Sequence, residues 1–161
     1  MIMKKKIQKT NAMRVLEKHK IDYTVHEYPW NDEHTDAQSA ADKISMPLHK
    51  IYKTLVAVGS QTGVLVACIP ASSELDLKKF AKTSGNKKVD MLHMKDLEKT
   101  TGYIRGGCSP VGMKKLFPTY IALEAQDMAA IVVSAGKRGM QMEVDPDQLI
   151  TVVQGEYADI T

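Results

Sequence analysis

The stretch from Lys50 to Pro70, K-I-Y-K-T-L-V-A-V-G-S-Q-T-G-V-L-V-A-C-I-P, decides how the rest of the chain is arranged. Two runs, Ile51 to Val58 and Val64 to Ile69, are rich in β-branched and apolar residues, and Gly59 to Gly63 between them are turn formers. The pattern predicts a β-hairpin with a longer loop. Neither run alternates cleanly between apolar and polar, so both faces of the hairpin are expected to be covered. Lys53 is the exception. By parity it shares a face with Ile51, Leu55 and Ala57. It is either a strand lysine whose stem lies along apolar surface while its ammonium reaches water, or a fixed charge at the mouth of a pocket for an anionic ligand.

Upstream of the hairpin, Ala12, Val15, Leu16 and His19 form one stripe at helical spacing, with Thr10 or Asn11 as N-cap. Tyr23 to Tyr28 reads as a short strand stopped by Pro29, and Thr35 to Ile44 as a short helix. Downstream, the run after Pro70 containing Leu75, Leu77, Phe80 and Ala81 predicts a serine-capped helix ended by Gly85. Val89 to His93 is too short to assign, and Met94 to Thr100 reads as a helical turn or two. Tyr120 to Leu123, Ala130 to Val133 and Met140 to Val144 read as strands, and Asp145 with Pro146 opens a last helix through Val153. Strands and short helices are interleaved irregularly. This predicts an α/β (α+β) fold with a mixed sheet and flanking helices in one domain spanning 1–161.

Composition narrows the function. Of the 161 residues 43% are hydrophobic and 25% charged, which is ordinary globular usage, and no long apolar run or export signal is present. A net charge of +3 suits a polyanionic partner without being the footprint of a dedicated DNA binder. Two cysteines, Cys68 in a strand and Cys108 in a glycine-rich loop, make neither a disulfide framework nor a four-ligand zinc site. They predict a reducing, cytoplasmic setting. The five histidines show no metal-binding spacing, and neither a metal nor a cofactor is expected.

Two loops carry the candidate chemistry. Gly107 and Gly112 have phosphate-loop spacing, but Met113 stands where the lysine belongs and Pro110 removes a backbone donor, which argues against nucleotide hydrolysis. Glycines still let backbone N–H groups approach an anion or a polarised carbonyl. Cys108 next to Ser109 raises a covalent nucleophile, yet no nucleophile elbow or recognisable His and Asp partners accompany it. The turn S-A-G-K-R-G, Ser134 to Gly139, offers a serine, backbone donors and two cations, a set that suits phosphate or ribose.

Taken in order, I-Y-K-T-L, L-D-L-K-K-F-A-K, T-G-Y-I-R-G-G-C-S-P-V-G-M-K-K and V-S-A-G-K-R-G resemble the YbaK/EbsC family over essentially the whole chain. That group comprises bacterial Cys-tRNA(Pro) deacylases related to the editing domain of prolyl-tRNA synthetase. The resemblance implies a partly barrel-like sheet, an aminoacyl-tRNA substrate, prolyl-tRNA synthetase as a partner, no membrane association, and attack by the cysteine substrate's own sulfur. It assigns the essential lysine to Lys53, the G-x-x-x-P loop to Gly106 through Pro110, and a pocket aromatic to Tyr28. The same resemblance brings Ser134, Gly136, Lys137 and Arg138 to the substrate. Backbone N–H groups near Gly107 and Ser109 are the expected carbonyl donors. Cys108 stands where the family commonly has a larger apolar residue, and Ala135 where it has glycine. Two other readings share the scaffold: a deacylase for Ala- or Ser-tRNA, and a non-catalytic tRNA- or synthetase-binding module. The second would have no need of Lys53 beside an intact loop.

Overall fold

The computed structural model describes residues 8–28 and 46–161. The helix expected over Thr35 to Ile44 lies outside them. The hairpin forms as expected: β2 (Tyr52–Gly59) pairs antiparallel with β3 (Gly63–Pro70) from Tyr52 opposite Pro70 to Gly59 opposite Gly63. Its loop is three residues long. Asn86 holds it there, its Oδ1 accepting from the amides of Gln61 at 2.7 Å and Thr62 at 3.0 Å. A Cβ on Gly59 would run into that same side chain, so glycine is required at the strand end.

The hairpin is the middle of a five-stranded sheet ordered β4-β2-β3-β5-β8, completed by β4 (Val89–Met91), β5 (Thr119–Ala122) and β8 (Glu156–Ala158). A second sheet, ordered β1-β7-β6, is all antiparallel: β1 (Tyr23–Glu27), β6 (Ile131–Lys137) and β7 (Met140–Val144). Leu65, Val66, Ala67, Cys68 and Ile69 are fully buried, and each branched chain among them stabilises the fold by about 1.5 to 3 kcal/mol. The expectation that both hairpin faces are covered holds for β3 and fails for β2, where Lys53, Thr54 and Leu55 stay half-buried and Val58 is exposed. The partial barrel is two sheets without closure.

Four helices flank the sheets among the described residues. In α1 (Asn11–Lys18) the Thr10 hydroxyl accepts from the Met13 amide, and Ala12, Met13 and Leu16 are buried, so Met13 takes the core place expected of His19. In α2 (Leu77–Ser84) the N-cap is Asp76 rather than the serines before it, its carboxylate accepting from the amides of Lys78 and Lys79. Gly85 ends α2 at φ +78°. The short α3 (Leu97–Thr101) follows a 3-10 turn at Met94–Asp96, and α4 (Pro146–Val153) starts on its Asp145 cap as expected.

The sheets meet at one parallel bridge, Ile51 opposite Val132, and both side chains are buried together. An ion pair clamps the same junction. Lys50, next to Ile51, reaches Glu143 at 2.8 Å, and Glu143 is the β7 partner of Val132. His26 Nε2 lies 3.0 Å from the other carboxylate oxygen. The hydrogen bond from Lys50, followed by that of His26, holds the Glu143 carboxyl below its usual 4.5.

A depressed folded-state pKa contributes stability that is complete above the unfolded value and lost as pH falls through the folded one. Glu143→Gln is therefore expected to lower stability by about 1.5 to 3 kcal/mol at neutral pH. The gap, measured by urea denaturation of both proteins, should persist down to about pH 5 and close below it. A gap independent of pH would show that the charge on Glu143 contributes nothing.

Candidate active site

Past the Ile51–Val132 bridge no second bridge joins the sheets among the described residues, and a cleft of about 400 Å3 lies between them. Parallel strands run on in the same direction from a shared bridge. Lys53 on β2 and Ser134 on β6, each two residues beyond it, thus stand at one level, and both line the cleft. Lys53 is half-buried and has no hydrogen-bond or ion-pair partner among the described residues. Ile69, opposite it across the hairpin, and Ile51, its neighbour on the same face, are buried, and Leu55 on that face is half-buried. The ammonium is a cation against an apolar wall, where it acts more strongly on an anionic ligand than in water.

Register brings in a residue that motif reading missed. Gln141 pairs with Ser134 on one side and with His26 on the other, so its side chain enters the cleft one strand from the serine. It is 9% exposed; its Nε2 donates to the Tyr28 hydroxyl at 3.3 Å, and its Oε1 has no partner among the described residues. A buried carbonyl left unpaired costs about 1 to 3 kcal/mol, which marks it as a group poised for a ligand. The signal was present in the alternation of β7, which buries Met140, Met142 and Val144 and leaves Gln141 and Glu143 on the opposite face. What was missing was the pairing that sets that face beside Ser134.

The glycine-rich loop borders the cleft through Arg105, Gly106 and Cys108. This revises the expected donors. The Gly107 amide is spent on the Ile104 carbonyl at 2.9 Å, and Ser109 is fully buried with its hydroxyl accepting from the Val111 amide. Pro110 lines a separate groove beside Val15 and Val152. The amides of Gly106, Cys108 and Ser109, in contrast, make no hydrogen bond among the described residues, and of these three Gly106 and Cys108 line the cleft. Burial pushes the Cys108 thiol up to about 11, so at neutral pH it carries no thiolate for attack.

Gly136, Lys137 and Arg138 do not line the cleft; they hold the loop that does. Arg138 Nε donates to the Arg105 carbonyl at 2.9 Å, and the Ser134 hydroxyl accepts from the Gly136 amide across the bulge in β6. The two motifs are packed backbone to backbone. A Cβ on Gly107 would sit 3.0 Å from the Arg138 nitrogen and 3.1 Å from the Lys137 carbonyl carbon, and one on Gly136 would sit 2.8 Å from the Tyr103 ring. Tyr103 in turn donates to the Val111 carbonyl at 2.6 Å, tying the loop's far end. Among the described residues no group of His, Cys, Asp and Glu is placed to hold a metal ion, and no helix is long and apolar enough to cross a membrane.

Since the atoms behind Gly107 are backbone and cannot swing aside, Gly107→Ala should cost about 1 to 3 kcal/mol. Denaturant unfolding checks this. An unchanged midpoint would show that the loop does not lie against the Lys137–Arg138 turn.

The sequence matches the family model described as the aminoacyl-tRNA editing domain over residues 32–152. It is 58% identical over 161 residues to the Enterococcus faecalis protein named "Putative Cys-tRNA(Pro)/Cys-tRNA(Cys) deacylase EbsC", covering 100% of this chain and 98% of that one. The Bacillus subtilis "Uncharacterized protein YwhH" is 26% identical over 112 residues, 70% of this chain and 71% of that protein. Among solved structures, one titled as a "putative trans-editing enzyme for prolyl tRNA synthetase" superposes with a TM-score of 0.82 at 22% identity, covering 94% of each chain. The "hypothetical protein APE2540" gives a TM-score of 0.85 at 17% identity over 94% of this chain and 99% of that one, so it too speaks for the fold. Family match, full-length relative and shared fold lead to one conclusion: the chain belongs to the aminoacyl-tRNA editing domain family.

Proposed function

We propose that this protein is a trans-editing deacylase that removes a wrongly attached amino acid from tRNA, with Cys-tRNA(Pro) as its substrate. The observation that carries the reading is the unpaired Lys53, set at one level with Ser134 in a cleft bordered by the free amides of Gly106 and Cys108. An aminoacyl ester needs its carbonyl oxygen polarised as charge develops on it, and one well-placed donor is worth about 3 to 4 kcal/mol. The two loop amides supply such donors. Lys53 holds the terminal ribose or phosphate as a compact charge and so positions the ester. Ser134 and Gln141, on the facing sheet, orient the aminoacyl end, where the unpaired Gln141 carbonyl suits an α-ammonium.

Among the described residues that line the cleft there is no activated nucleophile, and the raised Cys108 thiol does not serve as one at neutral pH. The substrate supplies its own. The esterified cysteine's sulfur, as thiolate, attacks the carbonyl carbon; the tetrahedral adduct collapses with loss of the ribose oxygen, which takes up a proton, and a cyclic thioester leaves. Water later opens that ring to free cysteine. In this reading the protein works in the cytoplasm, with prolyl-tRNA synthetase as the partner that hands over the mischarged tRNA. A pure binding module would have no use for a half-buried lysine beside loop amides that have no partner among the described residues.

Lys53→Ala is expected to fold normally and to lose deacylation by at least about a hundredfold, with Lys53→Arg also poor because a planar fork does not replace a compact ammonium. A panel of Cys-, Ala- and Ser-charged tRNAs incubated with the purified proteins checks this. Near-normal turnover by a folded Lys53→Ala protein would end the assignment. Selectivity provides a second test. Serine and cysteine differ so little in size that binding discriminates them by only about 1 to 3 kcal/mol. A thiol is a few per cent ionised near neutral pH and an alcohol is not, so single-turnover cleavage of the cysteinyl ester should far outrun that of the seryl ester at equal occupancy. Equal rates would mean that an activated water attacks instead.

A further inference from the structure

The cleft has two chemically different ends. Tyr28, Ser134 and Gln141 stand at the polar end, near the Ile51–Val132 bridge. The other end is bordered by Met91, Leu92, Met94 and Leu97, and Arg105 of the glycine-rich loop also lines the cleft. Met91 pairs with Ala57, four residues along β2 from Lys53, so the apolar end begins about 13 Å from the lysine's level. Its floor is a buried cluster in which Leu92 and Leu97 pack with Val56 and Cys108. Its lip is exposed. Met91 is 44% and Met94 57% exposed, two large apolar side chains held in water with no protein surface over them. The Leu92 amide bonds to the Val56 carbonyl at 3.0 Å, so the lip is fixed to the sheet.

We propose that this apolar end is a nucleoside subsite that takes the purine ring of the tRNA's 3′-terminal adenosine. The inference rests on the deacylase reading and assigns the part of the substrate on the leaving side of the ester. Lys53 stands at the level of Ser134 and Gln141, so an acyl group held at that polar end, with its ribose and phosphate at Lys53, directs the base along β2 toward Met91 and Met94. Polarizable thioethers make favourable contacts with aromatic rings, and a guanidinium such as that of Arg105 stacks on a base face. Charge continues the same path. The strand that delivers Met91, β4, begins directly after Lys87 and Lys88; Lys88 lies 3.7 Å from Asp90 on the same exposed edge, which leaves Lys87 as the cation for the phosphates of an incoming strand. A protein partner would need no such match between an apolar lip, an interior cation and an edge cation.

The test is a titration of the full chain, labelled at its methionine methyl groups, with adenosine 5′-monophosphate, followed by NMR; Met91→Leu and Met94→Leu identify the two signals. The Met91 and Met94 methyls are expected to shift under the ring current of the base, while those of the buried Met140 and Met142 stay in place. Ribose 5-phosphate, which carries the charge without the base, should leave all four unmoved. In parallel, the double variant Met91→Ser/Met94→Ser should raise KM for Cys-tRNA(Pro) about tenfold with kcat changed less than about twofold. Methyls that ignore the nucleotide at tens of millimolar, or that respond equally to ribose 5-phosphate, would overturn the subsite, as would an unchanged KM. If the nucleotide moves Met91 and Met94 but the protein cleaves no aminoacyl-tRNA, the deacylase reading falls and the subsite stands. Cleavage with unmoved methyls removes the subsite alone.

Discussion

Everything at the site depends on how two separate sheets are joined at one point. The Ile51–Val132 bridge buries two β-branched side chains against each other, and the Lys50–Glu143 pair fastens the neighbouring residues with a charge-assisted hydrogen bond. A parallel contact of a single residue pair fixes both position and direction. The two strands leave it side by side but unpaired, and the space between them is the cleft. Lys53 and Ser134 face each other because each is two residues from the same bridge.

The second constraint is a backbone one. The loop containing Gly106 to Pro110 is pressed against the turn between β6 and β7 so closely that Gly107 has no room for a side chain, and Arg138 closes the contact by bonding to Arg105. Two segments some thirty residues apart in sequence thus act as one rigid unit. This assigns different work to residues that a motif presents as equivalent. Gly106 and Cys108 line the cleft with amides that have no partner among the described residues, whereas Gly107, Gly136 and Arg138 hold the loop in place. Fixed donors lose no free energy to reorganisation when charge appears, which is why catalysis by backbone amides calls for such packing behind them.

The site is also a departure from the economy of the core. Among the described residues the other buried polar side chains are satisfied, as in Asn86, whose carboxamide bonds to the hairpin loop and to Ser84. Gln141 is as buried as Asn86 yet leaves its carbonyl unpaired, and Lys53 keeps an unneutralised charge beside apolar walls. The unpaired Gln141 carbonyl costs stability, which a ligand donating to it would restore.

By itself the sequence determined the elements whose causes are local. The hairpin, the Asp145–Pro146 helix start, the Gly85 stop and the strand Met140–Val144 all follow from propensity, capping and alternation within a few residues. It also pointed to Lys53, Ser134, Tyr28 and the glycine-rich loop, through motif and family resemblance. It left out β8 and did not settle β4, which are three residues each and have no period to read. Only the tertiary structure decided which faces meet. Pairing register turned Gln141 from one polar residue of an alternating strand into the neighbour of Ser134, and hydrogen bonding within the loop engages the Gly107 amide while leaving those of Gly106, Cys108 and Ser109 without a partner among the described residues. The physical reason is that a side chain's direction is set by its own strand, while what it faces is set by a partner strand whose register depends on contacts distant in sequence.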